Sequence, residues 1–204
     1  MATAALKARR AFGLLFICVS VAVASASVAS EIAYLNDSPL YLHAAIWLGS
    51  FGAVFGAASR SFRKAAPAIA ARMKGSAKWS GGSKSLNGVC WAGPFVAIAA
   101  FPFIYQYLIL LGIGLGNLST YLLIRKHSGN DNREQLIVAA ISLAAIPIAF
   151  AIDSTLFVNH QDVAVMLSRI LIAVAYAAGG AFALVGNTKA GPVGFDPTTS
   201  GSPH

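Results

Sequence analysis

The sequence predicts an all-α protein, a polytopic bundle of transmembrane helices, and three observations predict it. Of 204 residues, 57% are apolar and only 11% charged, against roughly 45–50% and 25% in an ordinary soluble domain. The apolar residues fall in uncharged runs about as long as a bilayer core requires. Fifteen Lys and Arg face seven Asp and Glu, for a net charge of +8, and the basic residues gather in the segments between those runs, as they do in cytoplasmic loops. Orientation accounts for that charge, so no nucleic-acid partner is expected. The cysteines, Cys18 and Cys90, both lie in apolar stretches and read as structural thiols, not as a disulfide framework.

Residues 1–10 form a basic cytoplasmic N-terminus with Lys7, Arg9 and Arg10, followed by an uncharged run from Ala11 to Ser30. That run is either the first span or a signal peptide, since it reaches Ala24-Ser25-Ala26, a small-residue pattern of the kind signal peptidase accepts. Six spans follow from the first reading and five from the second. On both, Glu31 to Pro39 lie outside, including the sequon Asn36-Asp37-Ser38.

Span 2 covers about Leu40 to Ser59. The loop after it, residues 60–88, holds seven basic residues and no acid, so it is expected to be cytoplasmic. Within it Phe62, Ala66, Ile69 and Met73 recur at helical spacing, with Trp79 beyond them, as in an interfacial helix lying on anionic lipid headgroups.

Leu86 to Ile124 carries no charge over 39 residues, too long for one span at about 1.5 Å per residue and barely enough for two. A hairpin turning near Phe103 to Tyr107 puts fourteen of the fifteen basic residues on one side of the membrane. A single crossing would place Arg125, Lys126, Arg133 and Lys189 outside, so the hairpin is preferred. Tyr34, Tyr41, Tyr105 and Tyr107 then form an outer belt, with Trp79, Trp91 and Tyr121 near the inner interface, and Pro94 and Pro102 disturb span 3. Span 5 covers about Gln135 to Ile152 and span 6 about Val163 to Val185, which closes a bundle over residues 11–186. Residues 187–204 read as a flexible cytoplasmic tail, so both termini are inside, in a protein expected at the cell membrane.

Glycine lets helices approach closely in lipid. The pairs Gly52/Gly56 and Gly112/Gly116, together with Gly179 and Gly180, are therefore the expected packing positions, which puts the even-numbered spans inside the bundle.

Groups able to do chemistry are few. Arg169, two turns into span 6, is the one charge well inside a span; Asp162, seven residues earlier, is its expected partner, and Arg169 and Asn117 are the candidate solute contacts. On the outer side His43, Asp153, His160 and Asp162 could hold Zn²⁺ or Cu²⁺, and the two histidines a haem, though their spacing matches no strong metal motif.

Gly49 to Gly56 resembles the G-x-S-G-A-[IV]-F-G stretch of rhomboid intramembrane proteases, yet the nucleophile's position is Phe51, the stretch falls on span 2, and span 6 has Tyr176 but no histidine base. His43 to Gly49 resembles, over a few residues, the opening helix of CopD-like copper-resistance proteins. Neither resemblance assigns a family. Three functions remain: a non-catalytic subunit or assembly partner of a larger membrane complex, bound to other membrane subunits or to its own copies; a small transporter or channel for a neutral or weakly anionic solute; and a metal or haem carrier or enzyme. The first is favoured, because no catalytic set is present.

Overall fold

The computed structural model describes residues 2–76, 79–129, 131–157 and 159–185. The expected tail, Gly186 with it, lies outside the described residues. Seven α-helices make up the described chain: α1 (Ala2–Leu35), α2 (Leu40–Ala57), α3 (Ser59–Ser76), α4 (Gly81–Ala97), α5 (Tyr105–Ser128), α6 (Arg133–Ala151) and α7 (Gln161–Val185). A 3₁₀ turn precedes α5 and a π turn, Ile152–Leu156, follows α6. Five segments are long and apolar enough to cross a membrane: Leu6–Leu35, Leu40–Ala57, Pro102–Ser128, Arg133–Leu156 and Gln161–Val185.

The first helix starts nine residues before the expected span and ends five residues after it. Nothing between Ser30 and Leu35 breaks a helix, and the chain turns only at Asn36 and Asp37, where Asp37 takes a positive φ of 52°. Glu31, expected in an outer loop, is thus the last buried polar residue of α1. The region read as a basic loop is mostly helical. In α3, Phe62 and Ile69 of the expected apolar face are half-buried, together with Ala65 and Ala68, but Ala66 is exposed like Arg63 and Lys64, so a helix is present with its buried side shifted from the expected one. α4 claims residues 81–88, and the side chain of Met73 is outside the described residues.

The uncharged stretch folds as a helical hairpin. Its contacts run in opposite directions along the two helices: Ser83 meets His127, Asn87 meets Ser119 and Thr120, Trp91 meets Thr120, and Phe95 meets Gly112. The turn spans Ile98 to Ile104, a few residues ahead of the expected position, because Pro102 begins the 3₁₀ turn there. Pro94 stays inside α4, where the helix absorbs its missing N–H. At 17 residues, or about 25 Å, α4 is the shortest of the apolar helices.

The bundle is organised around α1 and α7, which pack antiparallel over most of their lengths. Gly13 lies against Ala183 and Leu184, Ile17 against Gly180, Phe16 against Tyr176 at 5.5 Å between ring centroids, and Ser20 Oγ donates to the Ala173 carbonyl at 2.7 Å. At the chain's basic end Arg9 Nη2 donates to the Phe182 carbonyl at 3.1 Å, where a cation also meets the negative end of the α7 dipole. α6 packs between α5 and α7, and α4 lies on the outside of α5.

This corrects the expected division between even and odd spans. Half of the apolar window of α1 is buried, whereas α2 has no buried residue. A Cβ at Gly49, Gly52 or Gly56 would meet nothing within 4 Å, so among the described residues the Gly52/Gly56 pair packs against no helix. Gly112 and Gly116 do act as expected, seating Phe95 and Trp91 of α4, and Gly179 and Gly180 seat Val138 and Ile17. The count of glycines per span missed Gly13, which alone lets α1 approach Ala183.

Candidate functional site

One end of the bundle gathers most of the described basic side chains, and four of the six described acids, Glu31, Asp37, Asp153 and Asp162, lie toward the other. The first end includes Arg9, the start of α4 and the α5 to α6 connection with Arg125, Lys126 and Arg133. There Arg133 Nε donates to Asp131 Oδ2 at 2.6 Å, and Tyr121 OH donates to Asp131 Oδ1 at 3.2 Å. These donors, Arg133 foremost, hold the Asp131 carboxyl below the usual carboxylate range.

At the opposite end a cavity of about 420 Å³ opens between α1, α2, α5 and α7. α1 supplies Ser30, Glu31 and Tyr34 from its last turns; α2 supplies Leu40, His43 and Trp47; α5 supplies Tyr105; α7 supplies Gln161, Asp162, Val165 and Arg169. The helical repeat explains the set, since Trp47 stands one turn after His43, and Asp162, Val165 and Arg169 recur at three and four residues on one face of α7.

Arg169 anchors the floor. Its Nη2 donates to Tyr105 Oη at 2.9 Å, and its guanidinium carbon lies 5.9 Å from the centre of the Trp47 ring and 6.0 Å from that of Tyr105. The expected partner, Asp162, shares the cavity but does not take that hydrogen bond, because Tyr105 reaches over from α5. His43 Nδ1 is 2.8 Å from Ser30 Oγ, which ties α2 to α1. Glu31 is only 9% exposed, its carboxyl lies within hydrogen-bond reach of that of Asp162, and its Oε1 meets no N–H donor. Tyr34, Leu40 and Gln161 are exposed at the rim and leave the cavity open at this end.

The sequence-predicted residues are therefore only partly brought together. His43, Asp162 and Arg169 line the cavity. Asp153, on the π turn, instead accepts from Tyr107 Oη at 2.6 Å, and His160 is exposed and does not line it. Among the described residues no three His, Cys, Asp or Glu side chains gather as a metal site. Asn117 is buried mid-bundle, where its Nδ2 donates to the Ile113 carbonyl at 2.9 Å, far along α5 from Tyr105. Both cysteines are free. Tyr105 and Tyr107, expected in an outer belt, turn their hydroxyls onto Arg169 and Asp153, while Tyr34 and Tyr41 are exposed.

Glu31, Trp47 and Ser30 were not among the expected site residues, and Tyr105 was expected only as part of an aromatic belt. A signal was present for the first: Ser20, Ser27 and Glu31 follow one another at seven and four residues, a polar line on one face of an otherwise apolar helix, and all three are buried. No signal along the chain places Tyr105 beside Arg169, 64 residues away.

The second feature is a surface. From Ala44 onward, Ala44, Ala45, Leu48, Gly49, Gly52, Ala53, Gly56 and Ala57 form the exposed side of α2, with exposed Leu40, Tyr41 and Leu42 in its first turn. The other side carries Trp47, Phe51 and Phe55, stacked at centroid distances of 6.3 and 6.1 Å. Comparison with family models, curated proteins and solved structures finds no match.

Proposed function

We propose that the chain is a six-span protein of the cell membrane with both termini inside, and that it serves as a non-catalytic subunit of a larger membrane assembly. The exposed small-residue side of α2 carries this reading. Small residues let two backbones approach within van der Waals range, which is how helices associate where lipid offers no hydrophobic drive. A helix that faces lipid alone has no use for a side made of glycine and alanine, and among the described residues no element covers it. We take the occupant to be a transmembrane helix of another subunit.

The orientation is supported by the gathering of Arg9, Arg125, Lys126 and Arg133 at one end, in accord with the positive-inside rule. α4 crosses as the third span, its length extended by the turn after Ala97, and exposed Arg63 and Lys64 of α3 meet anionic headgroups.

Purification from the native membrane in mild detergent, followed by mass spectrometry of the intact assembly, tests the subunit role. Other chains are expected in fixed stoichiometry, and a Gly52→Leu, Gly56→Leu double variant is expected to lose them while keeping its own melting temperature, since both glycines face open space within the chain. Recovery as a single chain, or as copies of this chain only, overturns the reading.

A further inference from the structure

We propose that the cavity between α1, α2, α5 and α7 is a binding site for a small organic ammonium compound, entering from the acidic end of the bundle. Three independent observations point to that chemistry. The first is a buried acid whose nearest polar neighbour is another acid. Glu31 is nine-tenths buried on the cavity wall, its carboxyl meets that of Asp162, and its Oε1 has no N–H donor, an arrangement that folded proteins rarely keep unfilled. A primary or secondary ammonium supplies the missing N–H together with the countercharge.

The second is charge. Glu31 and Asp162 face each other, and Arg169 offsets one of them. His43 is tied to Ser30. A monovalent ammonium can sit between the two facing carboxyl groups, whereas an anion drawn to Arg169 would have to sit beside both of them. The third is the lining. Trp47 and Tyr105 already hold the Arg169 guanidinium near their ring centres, and Tyr34 adds a third ring at the rim. Aromatic faces attract organic cations, most strongly where water is partly excluded. The volume, about 420 Å³, is within the range of small-molecule pockets.

In the bound state the ammonium group donates to Glu31 and Asp162 while its organic part lies against Trp47 and Val165. Arg169 stays on Tyr105 and keeps the two acids from repelling the site apart before the ligand arrives. Glu31 and Asp162 are then the specificity-determining residues for charge, and Trp47 for the organic part.

Phenethylammonium, 2-phenylethanol and phenylacetate, which share a ring and differ in charge, provide the test. Each is titrated into the full-length purified protein, with tryptophan fluorescence and calorimetry as readouts. Phenethylammonium is expected to saturate one site, with the other two at least tenfold weaker. Glu31→Gln and Asp162→Asn are each expected to weaken the amine tenfold or more without changing binding of the neutral alcohol. Should Glu31→Gln fail to fold, as judged by helical content and monodispersity, Asp162→Asn decides. The proposal is overturned if phenylacetate binds best, if the alcohol binds as tightly as the amine, if neither substitution alters amine binding, or if the folded protein shows no saturable amine binding.

Discussion

The indole of Trp91 on α4 occupies the space that a side chain at Gly116 on α5 would need. Its Nε1 donates to Thr120 Oγ1 at 3.1 Å one turn further on, and Asn87 Oδ1 accepts from the same hydroxyl at 2.9 Å. The α4 to α5 hairpin is thus held by shape at Gly116 and by a short polar chain beside it. The Thr120 hydroxyl also lies 2.7 Å from the Gly116 carbonyl, within its own helix.

Gly116→Val is expected to destabilise the protein by about 1–3 kcal/mol, the usual cost of overpacking, because a Cβ there would strike the middle of the Trp91 ring and not its flexible edge. Thermal unfolding in detergent reads the change. A Trp91→Ala, Gly116→Val double variant is expected to recover part of the Gly116→Val loss, which separates collision from a general intolerance of substitution in α5.

Ser20→Ala removes the hydrogen bond from α1 to the Ala173 carbonyl of α7. Such interhelical bonds in membrane proteins average roughly 0.6 kcal/mol and reach about 1.7, so a modest fall in melting temperature is expected. Gly13→Leu, which drives a large side chain toward Ala183 and Leu184, is expected to cost more than Ser20→Ala. The reverse order would mean that polar contacts and not close approach hold the central helix pair.

Arg169→Ala strips the cavity of its cation and leaves Glu31 and Asp162 facing each other. A loss of about 1–3 kcal/mol is expected, the range for leaving a buried polar group without its partner. Adding Glu31→Gln to Arg169→Ala is expected to restore stability, since the like-charge contact is then gone. No restoration would show that Arg169 matters through Tyr105 and Trp47 alone.

Asp131 makes stability fall in acid. Its carboxyl is held low in the folded protein by Arg133, so the folded state binds this proton less readily than the unfolded one. The contribution is complete above the ordinary carboxylate range and disappears as pH falls through the lowered value. Because both partners are largely solvated, with 68% and 43% of their side-chain surfaces exposed, the effect is small and weakens with salt. Melting temperatures from pH 6 to pH 3 are expected to fall slightly less for Asp131→Asn than for the unaltered chain.

Topology follows from single cysteines on a Cys18→Ser, Cys90→Ser background. In intact cells an impermeant maleimide is expected to label Asp37→Cys at once and Lys126→Cys only after permeabilisation. Both positions are exposed on the protein. Labelling of both from the same side would mean that α4 does not cross, and the chain would then have five spans.

The sequence by itself determined what depends on neighbours along the chain. Uncharged runs of bilayer length, bounded by Arg60, Arg125 and Arg133, marked where apolar helices lie, and the basic residues on either side of the 39 uncharged ones favoured a hairpin over a single crossing. The period of Phe62 and Ile69 placed an amphipathic helix. Tertiary structure alone decided which helix is central. A glycine reads the same whether a partner helix approaches it or not, so Gly52 and Gly13 could not be told apart until Ala183 was found beside one and open space beside the other. The same holds for the cavity: Glu31, Trp47, Tyr105 and Arg169 come from four helices, and only the antiparallel packing of α1 on α7 carries the end of the first to the start of the last. Charge and hydropathy are local properties, whereas the meeting of distant side chains depends on how helices choose partners, which small differences in packing settle.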